Sequence, residues 1–380
     1  MGRNCHPYAW FGRVALLAGA LFSISLFGSV AAQATTFAFS TGSPDGKMAM
    51  ASRPDSGGKP EIEAADDFVL SAQTAITHAT FAGLLPGPGS VQDVTVEIYR
   101  VFPFDSNTSR TPVVPTRVNS PSDVDFQSRD SNSHGQLSYS VQVLSGSFTA
   151  ANSVLNGIHP SPNQTTGGEG PVTGQEVTFS VTLRNPFVLP PGHYFFVPQV
   201  QVSGPAGANF YWLSAPHPVV SPGTPFATGV PDLQAWIRNS ALQPDWLRVG
   251  TDIVGGSVPP LYNASFTLDN AALPLQSSTQ PLPRGIGVRL SVRAPSAGTV
   301  QARDPQAGKQ GKNGHKSAWF NTVTVRAKHA GIVHLTVVPN ATGRKHITSK
   351  RPLHLIVQLT FTPPGGQPSK RNIAITWRGK

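Results

Sequence analysis

From about residue 35 onward the hydrophobic pattern repeats every second residue, and that period constrains the fold more than any other feature. VQDVTVEIYRVF (91–102), QLSYSVQVL (136–144), QEVTFSVTL (175–183) and HYFFVPQVQV (193–202) alternate or are rich in β-branched and aromatic residues. The C-terminal part repeats the habit in GVRLSVRA, NTVTVRA, GIVHLTVV, LHLIVQLTF and NIAITW. Successive side chains of a strand point to opposite faces, so this period predicts half-buried strands. No stretch carries the 3.6-residue period of an amphipathic helix. The 37 glycines and 36 prolines gather with Asn and Ser between the apolar runs, as turn residues do. Short, regularly spaced strands with such turns predict an all-β fold, a sandwich or a barrel.

The N-terminal 34 residues read differently. Arg3 and Arg13 precede an apolar run from Val14 to Val30, and small residues follow at Ala31 to Ala34. Basic region, apolar region and small-residue cleavage site are the order of a secretory signal peptide. A membrane anchor is the alternative, but Gly19, Ser23, Ser25, Gly28 and Ser29 interrupt the run. Residues 1–34 are therefore expected to be a cleaved signal, with the mature chain secreted or associated with the cell envelope. The single cysteine, Cys5, lies inside that segment, so no disulfide, thiol nucleophile or cysteine metal site is expected after it.

Charge divides the remainder. Residues 281–380 hold 17 Lys or Arg and one acid, Asp304, a net charge of +16, whereas residues 35–280 carry −8. Such asymmetry predicts two modules with different partners. The Pro-, Ser- and Gln-rich segment 274–285 lies where the sign changes and is expected to be a stiff linker. It separates a sandwich over 35–273 from a smaller basic one over 286–380. FPFDSNTSRTPVVPTRVNSPSDVDF (102–126) and NGIHPSPNQTTGGEGP (156–171) have the composition of surface loops.

AADDF, FAGL, VTVEIYR, FVLPPGHYFF, FYW and NASFTL follow one another in an order that resembles the secreted bacterial jelly-roll modules of the A-D-D-F type. The likeness covers most of residues 60–270 and implies a jelly-roll-like β-sandwich associated with carbohydrate or the cell surface. LSVRAPSAGTVQARD, TVRAKHAGIVHLTVVP and LIVQLTFTPPGGQPSKRNIAITW resemble the small basic module at the C-terminus of many secreted actinobacterial proteins. That resemblance implies an Ig-like accessory β-sandwich with no activity of its own.

Few residues announce chemistry. In EAADDFVL, Asp66 shares a strand face with Phe68 and Leu70 and Asp67 shares the other with Val69, so one acid must face the core or its edge. A buried carboxylate needs a partner. A structural role is expected for the pair, with calcium as the alternative; no EF-hand loop is present to complete an oxygen shell. Tyr211, Trp212, Trp236 and Trp246, with Arg238 and Arg248, form the candidate carbohydrate site, because flat rings stack on sugars while guanidinium groups take hydroxyls. Tryptophans filling the inter-sheet core are the competing reading. Glu97 and Glu176 sit in alternating strands, where acids ordinarily line the solvated face. No GxSxG, HExxH or phosphate-loop motif occurs. The histidines of the basic region, His315, His329, His334, His346 and His354, are scattered as surface residues are. Lys345, Lys350 and Arg351 form a loop-like basic cluster suited to polyanions, without a base-reading motif.

The sequence therefore predicts a secreted or surface binding protein for carbohydrate or an anionic envelope polymer, with no cofactor. A structural surface protein and a polysaccharide-acting hydrolase are the alternatives, and catalysis is left open. The exported form is expected to lack everything up to about Ala34. Its intact mass checks this: a mature chain still beginning at Met1 would contradict export.

Overall fold

The computed structural model describes residues 37–56, 58–133, 135–159, 165–205, 208–216, 234–283, 286–307, 318–347 and 352–378. The expected signal segment lies outside the described residues. In chain order the strands are β1 (Ala38–Ser40), β2 (Met48–Ala51), β3 (Ile62–Leu70), β4 (Thr74–Leu85), β5 (Ser90–Arg100), β6 (Gln127–Asp130), β7 (Leu137–Ala150) and β8 (Asn152–Val154). They continue with β9 (Val172–Leu189), β10 (Gly192–Ser203), β11 (Tyr211–Ala215), β12 (Trp236–Asn239), β13 (Leu247–Arg248), β14 (Asn263–Ala264) and β15 (Phe266–Asp269). After these come β16 (Gln276–Pro281), β17 (Val288–Ala294), β18 (Gly298–Arg303), β19 (Val323–Ala327), β20 (Gly331–Val337), β21 (Leu353–Thr362) and β22 (Ser369–Trp377). A π-helical turn spans Val249–Val254 and a short helix, α1, spans Ala341–His346. The fold is all-β, as the two-residue period requires.

Four sheets build two sandwiches. A nine-stranded sheet holds β1, β2, β4, β7, β8, β9, β11, β14 and β15, and a six-stranded sheet runs β13-β12-β3-β10-β5-β6. Their inner faces meet through aromatic rings: Phe196 of β10 lies 5.3 Å from Phe266 of β15 and 6.3 Å from Phe81 of β4. Around them Phe39, Phe68, Phe179, Phe210 and Trp212 fill one continuous core. Such ring pairs add attraction beyond the area they bury.

The six-stranded sheet is covered on its other face too. Ala65, Tyr99, Phe195, Val197, Trp236 and Trp246 form a second, smaller core there. Residues 102–126 supply the cover: Trp246 Nε1 donates to Ser122 O at 3.1 Å, and Val113 N donates to the buried Asp245 at 2.9 Å. This segment, expected as a surface loop, is tied down because buried strands beneath it need their polar groups met.

The basic region forms its own sandwich, with a three-stranded sheet β16-β17-β20 and a four-stranded sheet β19-β18-β21-β22. Its core holds Leu290, Val300, Phe320, Val357, Phe361 and Trp377 and no residue before Leu275. One sequence expectation is corrected here. The segment 274–285 is not simply a linker, since Gln276–Pro281 is a strand paired in antiparallel register with β17. Its side chains are nearly all exposed, so apolar alternation could not reveal it; backbone pairing at a sheet edge creates it.

Residues from Ala34 onward belong to one compact unit, and a glycine turn joins the two sandwiches within it. In the FTPPGG segment, Gly365 O accepts from Ala75 N at 3.1 Å, at the start of β4. Gly365 has φ +68°, and a Cβ there would stand 1.9 Å from Gln73 O. Only glycine satisfies both the left-handed backbone and the close approach. Gly365→Ala is expected to lower stability by about 2–4 kcal/mol. Gly58, at φ +77° in open space, is the control; Gly58→Ala is expected to lose only about 1 kcal/mol. Equal losses in thermal unfolding would refute the contact's role.

Candidate functional site

Two places hold unusual polar chemistry: the covered outer face of the six-stranded sheet, and the surface of the basic sandwich.

On β3 the alternation sends Glu63, Ala65 and Asp67 outward and Ala64, Asp66 and Phe68 into the main core. Register sets the neighbours: Glu63 lies opposite Arg238 of β12, and Asp67 lies opposite Phe195 of β10. Arg238 is 4% exposed and pairs with the 1% exposed Glu63 through Nε–Oε2 and through Nη2–Oε1 at 3.1 Å. Its Nη2 also donates to Tyr99 Oη at 2.9 Å, and Nη1 donates to Asp123 O and Pro244 O. The guanidinium stands 4.2 Å from the centre of the Trp246 ring. Every donor of this buried cation except the backbone-facing pair therefore answers a carboxylate, a phenol or a ring.

Tyr99 links two acids. Its hydroxyl donates to Glu63 Oε1 at 2.7 Å and lies 3.3 Å from Glu97 Oε2. Burial, and then the carboxylates of Glu63, Asp125 and Glu61, push the Glu97 carboxyl well above the usual range. Glu97, expected on the solvated face, is half-buried in this network instead. An acid and a carboxylate sharing one phenol resemble acid–base machinery in composition. Glu63, however, is fully occupied by Arg238, Tyr99 and Gln243 and sealed from solvent, so the arrangement binds strands together better than it could meet a substrate.

Asp66 and Asp67 point to opposite faces, which settles why two acids stand side by side. Asp66 accepts from Ala264 N at 2.7 Å, joining β3 to β14, and Asp67 accepts from His193 Nε2 at 2.6 Å. Because they diverge, the two carboxylates cannot hold one calcium ion between them, and the metal alternative at Asp66 and Asp67 is corrected on that ground. Among the described residues no group of three or more His, Asp or Glu side chains is placed to hold a metal. Burial is the main cause that raises both carboxyls, and Asp67 adds to the rise of Asp66 while His193 opposes that of Asp67.

The aromatic carbohydrate site is also corrected. Trp212, Trp236 and Trp246 are at most 1% exposed and Tyr211 is 6% exposed. Their ring faces lie against protein, Trp212 in the main core and Trp236 and Trp246 in the smaller one, and none can stack on a sugar. Arg238 is enclosed with Glu63, and Arg248 pairs with Asp252 four residues on, at 2.8 Å. Arg248 lies opposite Trp236 in the β12–β13 register, whereas Tyr211 and Trp212 belong to the main core, so the six residues do not share one face.

The basic sandwich presents the opposite situation. Asp304, its one acid, is 3% exposed and accepts from Gln306 N and Trp319 N. All ion pairs among the described residues involve residues up to Asp269. Exposed Arg289, Arg293, Arg303, Arg326, Lys328 and Lys370 therefore have no carboxylate partner among the described residues. Of the expected polyanion cluster, Lys345 is exposed on α1, while Lys350 and Arg351 lie outside the described residues. His334 meets Ser291, His354 meets Thr376 and His346 packs edge-on to Trp319, so these imidazoles do not converge. His315 lies outside the described residues.

No family model matches the chain, and no curated protein matches it. Among solved structures it is similar to a β-D-glucuronidase from Dictyoglomus thermophilum, at 7% identity and a TM-score of 0.17. The match covers 85% of this chain and 44% of the enzyme's chain. A likeness that slight carries no argument about fold or activity.

The raised aspartates have a consequence for stability. A carboxyl whose folded pKa lies above its unfolded value of 3.8 contributes fully below that value. The contribution is lost as pH rises through the folded value. Asp245 and Asp269 run the other way: burial raises each, but the hydrogen bonds and charge of Arg110 with Val113 N and Arg117, and of His78 with Ala271 N, together outweigh it and lower them. The melting temperature is expected to rise between pH 8 and pH 5 and to fall again below about pH 4. Asp66→Asn, which copies the protonated form, should flatten the rise. A wild-type chain more stable at pH 8 than at pH 5 would contradict this.

Proposed function

We propose that this chain is an exported binding protein, held on an anionic envelope polymer by its basic sandwich. The observation that carries the reading is the absence of any exposed carboxylate on that sandwich among the described residues. A surface of one sign attracts polymers of the other over the Debye length and collects many weak contacts. The charge difference between the two parts, +16 against −8, keeps that attraction on one side of the chain. Binding rather than turnover is supported by the enclosure of Glu63 and Arg238. The signal-like start and the resemblance to secreted sandwich modules fit an extracellular setting.

Binding of the full chain to isolated cell walls is expected to fall steeply with added salt, since exposed charges are screened over about 8 Å at physiological ionic strength. A pull-down across a salt series measures it. Retention that does not change with salt would overturn the reading.

A further inference from the structure

Resting on that reading, we infer that the attachment surface is the outer face of the four-stranded sheet and that its ligand is a carboxylate-bearing polysaccharide. The register lays out the face row by row. Arg303 of β18 lies opposite Gln358 of β21, which lies opposite Asn372 of β22. In the next row Thr324, Gln301, Thr360 and Lys370 stand side by side, and beyond them come Arg326, Thr299 and Thr362. The three cations are exposed and are spread over three strands and three rows. With strands about 4.8 Å apart and rows about 7 Å apart, the three charges are separated by roughly 12–16 Å. That spacing suits a chain lying across the face rather than a single small anion.

The side chains between the cations decide the chemistry. Arg303 Nε donates to Gln358 Oε1 at 2.8 Å, and Gln358 Nε2 donates to Asn372 Oδ1 at 3.3 Å. This cross-strand chain holds the guanidinium in place and leaves its two terminal nitrogens without a protein partner among the described residues. An arginine so oriented matches a carboxylate through two parallel hydrogen bonds. Threonine hydroxyls and amides fill the intervening positions and can pair with the hydroxyls of a sugar chain. The aromatics of these strands, Phe361 and Trp377, are buried in the core, so no ring is offered on which a nucleic-acid base could stack. The three-stranded sheet is the weaker candidate. Its outer face carries two arginines, Arg289 and Arg293, beside Ile332, which is 64% exposed.

The test uses the full chain and three polymers: polygalacturonate, neutral dextran and duplex DNA. Arg303→Ser, Arg326→Ser and Lys370→Ser together are expected to weaken polygalacturonate binding about thirtyfold. The control of equal charge change, Arg289→Ser with Arg293→Ser and Lys345→Ser, should lose about threefold or less. Circular dichroism checks that both remain folded. If the serine variant does not fold, Arg303→Lys with Arg326→Lys keeps the charge and removes the paired hydrogen bonds; it should bind polygalacturonate several-fold less tightly, and no loss overturns the proposal. Equal loss in both serine variants overturns the face assignment while leaving attachment by charge standing. Tighter binding to DNA than to polygalacturonate overturns the polysaccharide. A wild-type chain that retains none of the anionic polymers would overturn the proposed function itself.

Discussion

One guanidinium organises the larger sandwich. Arg238 extends from β12 to Glu63 of β3, to Tyr99 of β5 and to two carbonyls, Asp123 O in the segment 102–126 and Pro244 O after β12. It rests on Trp246, whose own indole nitrogen holds the same segment at Ser122. Placing a charge in such a setting is expensive unless every donor is met, and here they are. Removing one partner would strand the other, a loss of about 3–5 kcal/mol in comparable pairs. That cation ties the cover to the six-stranded sheet and to the second core, and it opposes the rise that burial and the neighbouring carboxylates impose on Glu97.

The two sandwiches use charge in opposite ways. In the larger one, acids and bases are consumed internally: Asp245 takes Arg110, Asp123 takes Arg117, Asp105 takes Arg100 and Asp252 takes Arg248. These pairs fasten loops to strands. In the smaller one the single acid is buried as a backbone acceptor, and the cations stand outward on both sheets. A surface that gains nothing from its own charges internally is available to an external partner of opposite sign. The glycine contact between Gly365 and the start of β4 places that surface at a defined position on the larger body.

Much of the architecture was legible from alternation. Strand positions, the main core of each sandwich and the opposing directions of Asp66 and Asp67 all follow from a period of two. The tryptophans show where such reading stops. Trp236 and Arg238 share one face, and that mixture suggests a surface site; the face is instead buried beneath residues 102–126, so the ring became core and the cation a tie. Gln276–Pro281 failed for the reverse reason, being a strand without apolar residues to mark it. Glu97 and Glu63 gave no local sign of sharing a phenol, because Tyr99, two residues from Glu97 on β5, reaches Glu63 across β10 on a strand two places away in the sheet.

By itself the sequence determined the all-β class, the turns, the division of charge and the alternation of each strand, because these depend on residues close together along the chain. Only the tertiary structure decided which faces are covered, which carboxylate meets Arg238 and which cations remain unpaired. Those outcomes depend on register between strands far apart in sequence and on a loop folding back over a sheet. A one-residue slip in register would send Glu63 away from Arg238 and into the aromatic core, and nothing local to either residue records that choice.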